Sequence, residues 1–291
     1  MSATLLIQLT AIGLAMGMCY AFMGMGIVLL VRAIGVLNFA QGEMFMFGAF
    51  IAMTLTQRTP LPFPAVVLAA ILIFALGGFA FMLAIYWPLR NASWSASIII
   101  ATLSASIAFK EIATKVWGPV AIPMDPLIKG SFAVGTLSLS WQYVVIIIVG
   151  VAVFTGLLLL FEKMYVGHVM QAAAQDKTAA ELLGISTFKT TAATYAISTV
   201  LAGLGGWLVA PLFFCSISLG QMLTRAFAGL ILGGYDSVKG VLVGALIVGV
   251  VESYISLIST TYKDALLFAL VLVMLSVRPH GLFGSPVKEK A

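Results

Sequence analysis

Long apolar runs separated by short polar breaks dominate the chain. The runs fall at roughly 5 to 31, 37 to 56, 62 to 86, 95 to 115, 142 to 162, 189 to 213, 221 to 235, 238 to 258 and 264 to 278. A helix that crosses the hydrocarbon core needs about 20 residues, so this pattern predicts an all-α integral membrane protein, a polytopic bundle of eight or nine transmembrane helices. The seventh run is short for a crossing. It reads either as a tilted helix or as half of a re-entrant hairpin with the eighth, since backbone that leaves the helix at membrane depth is stable only where protein or a cavity covers it. A single transmembrane domain accounts for residues 1–291, with two polar excursions at 116–141 and 163–189.

Composition supports this reading. Of 291 residues, 62% are hydrophobic and 9% charged, too few charges for a water-facing surface. The net charge of +5 would suggest nucleic acid in a soluble protein, but in a polytopic one it reflects basic cytoplasmic loops, and no nucleic-acid partner is expected. Nine crossings with the N-terminus outside put Arg32, Arg90, Lys163, Lys177, Lys189, Lys239, Arg278, Lys288 and Lys290 in the cytoplasm. Arg58, Lys115, Lys129 and Lys263 then lie outside, with Lys110 and Arg225 near outer helix ends. That asymmetry follows the positive-inside rule, and the opposite orientation inverts it. Trp87, Trp94, Trp117 and Trp141 fall at span ends, where an interfacial aromatic belt belongs. The first run lacks a basic leader and cleavage site, so it is expected to remain in the mature chain.

The polar stretch 162–189, EKMYVGHVMQAAAQDKTAAELLGISTFK, holds Glu162, Lys163, His168, Asp176, Lys177, Glu181 and Lys189, a density of titratable groups found nowhere else before the C-terminal tail. Its Ala-rich middle favours a helix held outside the membrane. The other excursion carries Pro119, Pro123 and Pro126 and then the alternating FAVGTLSLSW, which predicts a turn-rich cap followed by a short hairpin. It serves either to receive a partner or as a plain connector. Gly13 with Gly17, Gly229 with Gly233, Gly240 with Gly244, and the pair Gly205 and Gly206 have the spacing of close helix packing.

Ionisable groups inside apolar runs are costly unless paired or facing a cavity. Glu43, with Asn38, Gln41 and Gly42 beside it, is read as a polar lining of a transport path or as a buried packing contact. Glu252 is open to the same two readings. Lys110 and Glu111 are read as interfacial anchors. Cys19 and Cys215 lie in apolar runs as small hydrophobes, and no metal-ligand spacing is present. His168 and His280 sit in polar segments, and no nucleophile-base pairing or metalloprotease motif occurs. The stretch 184–190, GISTFKT, lacks the second glycine and the spacing of a phosphate-binding loop. An enzyme is therefore not expected, and any ATP-driven motor must be another polypeptide.

Four ordered stretches resemble the permease subunits of ABC importers for branched-chain amino acids. These are GVLNFAQGEMFMF at 35–47, VGHVMQAAAQDKTAAELLGI at 166–185, AFAGLILGGYDSVKG at 226–240, and the ending RPHGLFG at 278–284. The resemblance implies ATP-driven alternating access in a bacterial inner membrane. It implies a homologous second permease, two cytoplasmic ATP-binding subunits that carry ATP and magnesium, and an extracytoplasmic binding protein. No cofactor is expected in this chain. The second stretch is similar to the family's coupling segment, which implies ATPase contacts at Gly167, His168, Gln171, Ala173, Asp176, Leu182, Leu183 and Gly184. Where the family usually carries basic residues, this chain has His168 and Gln171, so docking is expected to rest on shape and on Val169, Met170, Leu182 and Leu183. Asn38, Gln41, Gly42, Glu43 and Glu252 are the candidate substrate pathway. The rival class is an ion-gradient carrier or channel for a small polar solute such as urea or an amide, with Glu43 holding the coupling ion.

Overall fold

The structure is a computed structural model that describes residues 3–92, 96–134, 137–175, 177–235, 237–278 and 281–284. Trp94, Asp176, His280, Lys288 and Lys290 lie outside the described residues. The helices are α1 (Ala3–Ile34), α2 (Gln41–Arg58), α3 (Phe63–Phe81), α4 (Trp87–Leu89), α5 (Ala96–Trp117), α6 (Trp141–Lys163), α7 (Tyr165–Gln175), α8 (Lys177–Leu182), α9 (Thr187–Phe213), α10 (Leu223–Gly233), α11 (Val238–Ile258) and α12 (Lys263–Val277). A π-helical turn, Met82–Tyr86, joins α3 to α4 as one apolar rod. Ser140, Ser186 and Ser237 cap the starts of α6, α9 and α11 by accepting backbone N–H bonds.

Six helical rods among the described residues are long and apolar enough to cross a membrane: α1, α3 with α4, α5, α6, α9 and α11. The second, seventh and ninth apolar runs differ from these. Helix α2 has 18 residues but starts with Gln41 and Glu43 and ends with Thr56, Gln57 and Arg58. Helices α10 and α12 are 11 and 15 residues long, and a 3-10 turn, Ile217–Met222, leads into α10.

Helix α1 forms the centre: its most apolar stretch is 89% buried, against 17% for α5. Helices α9, α10 and α11 pack around α1, and α2 lies against α9. The contacts are made by small residues. Gly13 and Gly17 of α1 meet Gly249, Val250 and Leu246 of α11; Gly229 and Gly233 of α10 meet Ala245 and Gly240 of α11; Gly48 of α2 faces Gly203 of α9. With lipid as solvent, no hydrophobic force draws helices together, so close backbone approach and dispersion must hold them.

The two ends of the bundle are distinct. At one end, β1 (Ser131–Val134) and β2 (Leu137–Ser140) pair antiparallel, with Phe132 opposite Leu139, which is the expected hairpin. The start of α1 reaches this end through Gln8 to Ser138, α2 through Gln57 to Pro123, and the turn after α9 through the paired backbones of Cys215 and Ile122. The other end carries α4, α7, α8 and the C-terminal turn, where Leu282 and Phe283 donate their N–H groups to the carbonyls of Leu232 and Gly233. Trp117 and Trp141 stand at helix ends on the hairpin side, and Trp87 lies near the other end beneath the Arg90 guanidinium, 3.9 Å away.

Neighbouring glycines of α3 separate packing from lipid exposure. A Cβ at Gly78 would lie 2.5 Å from Tyr195 O and 2.6 Å from Thr199 Oγ1, whereas one at Gly77 meets nothing within 4 Å. Gly78→Ala should therefore destabilise the folded protein by about 1–3 kcal/mol and lower its yield in membranes. Gly77→Ala should leave it unchanged. Detergent-extracted monodisperse yield and thermal midpoint read both outcomes.

Candidate functional site

Two polar regions stand out from the apolar bundle, one inside it and one beyond its end. Inside, Gly35 takes a left-handed backbone (φ 71) and ends α1. The chain then folds back, so that α2 begins with Gln41 beside Gly26 of α1 and Ser198 of α9. Gly26 is eight residues before Ile34, so α2 starts about 12 Å inside the end of α1. Asn38 Oδ1 accepts from the Ala40 N–H (3.0 Å), and its Nδ2 donates to Gln41 Oε1 (3.4 Å). Gln41 Nε2 donates to Ser198 O at 3.0 Å, and the Ser198 hydroxyl lies 3.0 Å from Gly26 O and 3.2 Å from Gln41 Oε1.

Of the two readings of this stretch, the contacts of Asn38, Gln41 and Gly42 are those of packing. Asn38 and Gln41 are fully buried, and their polar atoms join three helices, which satisfies backbone groups freed by the break. Gly42 packs against the backbone of Gly220 and serves the same joint. Glu43 is different. It is half-buried in the first turn of α2, where the helix dipole favours a carboxylate, and Ser106 and Lys110 of α5 act on it by a hydrogen bond and by charge. Lys110, one turn along α5 from Ser106, acts on this carboxylate through its charge alone, with no ion pair between the two among the described residues. Helix α5 touches α2 and the 3-10 turn sparsely, so Glu43 lies at a loose seam.

A second intramembrane group surrounds Glu252 of α11. Its Oε2 accepts from Tyr20 OH at 2.6 Å. Its Oε1 lies 3.1 Å from Arg225 Nε of α10 and 2.8 Å from Lys263 Nζ of α12, and Arg225 Nη2 reaches Asp264 Oδ1 at 2.8 Å. The Glu252 side chain is 8% exposed and Arg225 21%, so each charge needs the others. Glu252 thus pairs internally, across four helices. Sequence reading placed Arg225 and Lys263 only at outer helix ends. Nothing periodic links them to Glu252, and only the opposite signs of three embedded charges were available as a signal.

Beyond the other end, α7 and α8 form the second region. Residues Gly167, Met170 and Ala173 share the inward face of α7 and are buried. Gly167 sits on the backbone of Leu160 and Phe161, and Gln171 Nε2 donates to Phe161 O at 2.6 Å. His168 is exposed, with its Nδ1 2.9 Å from Met164 O. These contacts separate the predicted coupling residues into two groups. Gly167 and Gln171 anchor the segment to α6, and Met170 and Ala173 are buried beside Ala33 of α1 and Thr190 and Thr191 of α9. Leu182 and Leu183 protrude, at 84% and 80% exposure. Asp176 lies outside the described residues. Gly184, with φ 82, ends α8. Its N–H reaches Glu181 O, and the Ile185 N–H reaches Ala180 O, both at 2.9 Å. This pair of bonds is the glycine-terminated helix end called a Schellman motif. No cluster of three His, Cys, Asp or Glu that could hold a metal occurs among the described residues.

Comparison with known proteins agrees with this architecture. A family model described as the permease component of branched-chain amino acid transport systems matches residues 9–275. The high-affinity branched-chain amino acid transport system permease protein LivH of Salmonella typhimurium is 30% identical, covering 96% of this chain and 95% of its own length. The permease protein BraD of Pseudomonas aeruginosa is also 30% identical over the same shares. A probable LivH of Methanocaldococcus jannaschii is 27% identical, over 92% of this chain and 89% of its own. Among solved structures, PsaBC from Streptococcus pneumoniae in complex with Fab gives a TM-score of 0.49 at 13% identity, covering 95% and 92% of the two chains, a likeness too distant to carry an argument. With residues 9–275 inside the family match, this multi-pass membrane protein belongs to the family of branched-chain amino acid transport system permease components.

Proposed function

We propose that the chain is the translocating subunit of a bacterial ABC importer for branched-chain amino acids, working in the inner membrane beside a homologous second permease. Two cytoplasmic subunits bind ATP and magnesium and supply the energy, and an extracytoplasmic binding protein delivers the substrate. The single observation that carries this reading is the tip of α8. Burying a leucine is worth about 1.5–3 kcal/mol, yet Leu182 and Leu183 are held out in water on a segment whose inner face is fixed to α6. Such a tip fits a cleft in a motor subunit.

The orientation follows from charge. The end that carries α7 and α8 holds Arg32, Arg90, Lys163, Lys177, Lys189, Lys239 and Arg278, and the hairpin end holds Arg58, Lys115, Lys129 and Lys263. The positive-inside rule puts the first end in the cytoplasm, the N-terminus outside, and the loop 116–141 toward the binding protein. On this reading the chain crosses nine times. Its second and seventh crossings begin with a backbone break at depth, one before α2 and one before α10. The apolar faces of α3, α5 and α6 meet lipid and the second permease. Glu43 lines the pathway at its seam with α5, held by Asn38, Gln41 and Gly42. ATP-driven closure of the motor moves α7, and with it α6 and α1, between inward-open and outward-open arrangements. Such a shift requires contacts that differ between the two states.

Four outcomes test this. Affinity purification of the chain from its native membrane should bring down an ATPase, and uptake in vesicles should require ATP. Uptake driven by an ion gradient with no ATPase present would establish the carrier reading instead. Leu182→Ser with Leu183→Ser should lower substrate-stimulated ATP hydrolysis by roughly ten-fold or more in the assembled complex. Gly184→Val, strained by about 1–2 kcal/mol at a left-handed position, should uncouple more than Gly184→Asn, which tolerates that backbone. Glu43→Gln should reduce uptake while leaving assembly intact, as read by initial rates against the amount of purified complex.

A further inference from the structure

The charge cluster around Glu252, the one candidate pathway residue remote from α2, lines a cavity of about 220 Å³. The cavity lies between α1, α10, α11 and the start of α12. Its apolar wall includes Ile12 and Met16 of α1 and Met222 of the 3-10 turn, and its polar wall is Arg225, Glu252 and Lys263. Glu252 is six residues from the end of α11, about 9 Å below the hairpin end of the bundle.

The hydrogen-bonding capacity of the polar wall is not filled by the protein. Arg225 Nε is buried and makes no hydrogen bond, because Glu252 Oε1, though 3.1 Å away, is poorly aligned with its N–H. An unmade bond of this kind at a buried charged donor is costly. Lys263 has three N–H donors and one ion-pair partner, Glu252. Among the described residues Glu252 Oε2 accepts from Tyr20 alone and keeps a second lone pair. The spare capacity is therefore donors on two cations beside one acceptor on a carboxylate, against an apolar wall. The two cations and two carboxylates of the cluster balance, so a ligand without net charge leaves the balance intact.

We infer that this cavity binds the substrate as an aliphatic α-amino-acid zwitterion, as a vestibule on the side where the binding protein releases it. The ligand carboxylate accepts from Lys263 and Arg225, its ammonium donates to Glu252 Oε2, and its side chain lies against Ile12, Met16 and Met222. The inference rests on the importer reading and adds the site and the residues that set side-chain size.

The test uses the complete importer in proteoliposomes and compares initial uptake of leucine and alanine. The binding protein is common to all variants, so its selectivity cancels from changes in the ratio. Ile12→Phe, which fills the apolar wall, should lower leucine uptake roughly ten-fold relative to alanine. Ile12→Ala, which removes atoms and carries less risk of misfolding, should move the ratio the other way, toward larger side chains. Lys263→Met should lose uptake of both substrates with the complex still assembled, and Lys263→Arg should restore it. An unchanged leucine-to-alanine ratio in both Ile12 variants, or full uptake in Lys263→Met, would overturn the inference while leaving the importer reading in place. Absence of ATP-dependent uptake by the unmodified complex would instead remove the importer reading itself.

Discussion

The close approach of α2 to α9, with α1 behind them, is the constraint on which the rest of the bundle depends. It is made almost without side chains. Gly48 faces Gly203, and Gly205 and Gly206 leave room for Phe45 and its backbone. Inside lipid, such contact draws on dispersion and on hydrogen bonds that find no better partner. The polar joint of Asn38, Gln41, Ser198 and the Gly26 carbonyl then fixes the register at which the helices meet. With that register set, the first turn of α2 brings Glu43 to the seam with α5, and the 3-10 turn before α10 closes over Gly42.

Charge is distributed with similar economy. Buried charges survive only as mutually compensating sets, and the Glu252 group ties α1, α10, α11 and α12 together at the hairpin end. At the opposite end, Glu162 and Lys239 pair at 3.1 Å near the surface, where the pair contributes little to stability. The hairpin end is thus held by ions, while the end bearing α7 is held by backbone contacts at Gly167 and the Gln171 anchor. An ionic connection rearranges when a competing charge arrives, whereas an anchored helix transmits displacement.

The six long apolar rods were legible because a crossing needs a length set by bilayer thickness, and the β-hairpin was legible in the alternation of FAVGTLSLS. The segment 163–189 was recognisable as polar and helical, but the division of its residues into anchors and tip was not. Gly167, Met170 and Ala173 face inward at the three-residue spacing any amphipathic helix shows, and composition does not say which neighbour they meet. For Asn38, Gln41 and Glu43 the difficulty was greater. Helix α2 is covered on most sides, so no polar stripe marks the face that leads to a pathway. Arg225 and Lys263 were assigned to helix ends because the contact that matters, with Glu252, joins separate helices through space.

The composition of α2 has a consequence for biosynthesis. A segment beginning QGE and ending TQR gains little by entering lipid alone, and its main packing partner, α9, begins only at Thr187. While the ribosome is still making the intervening helices, α2 has only its lesser partners α1 and α3 to lie against. It must be sheltered at the insertion machinery or by α1 until α9 arrives, so the order of synthesis sets when the protein can close around its own centre.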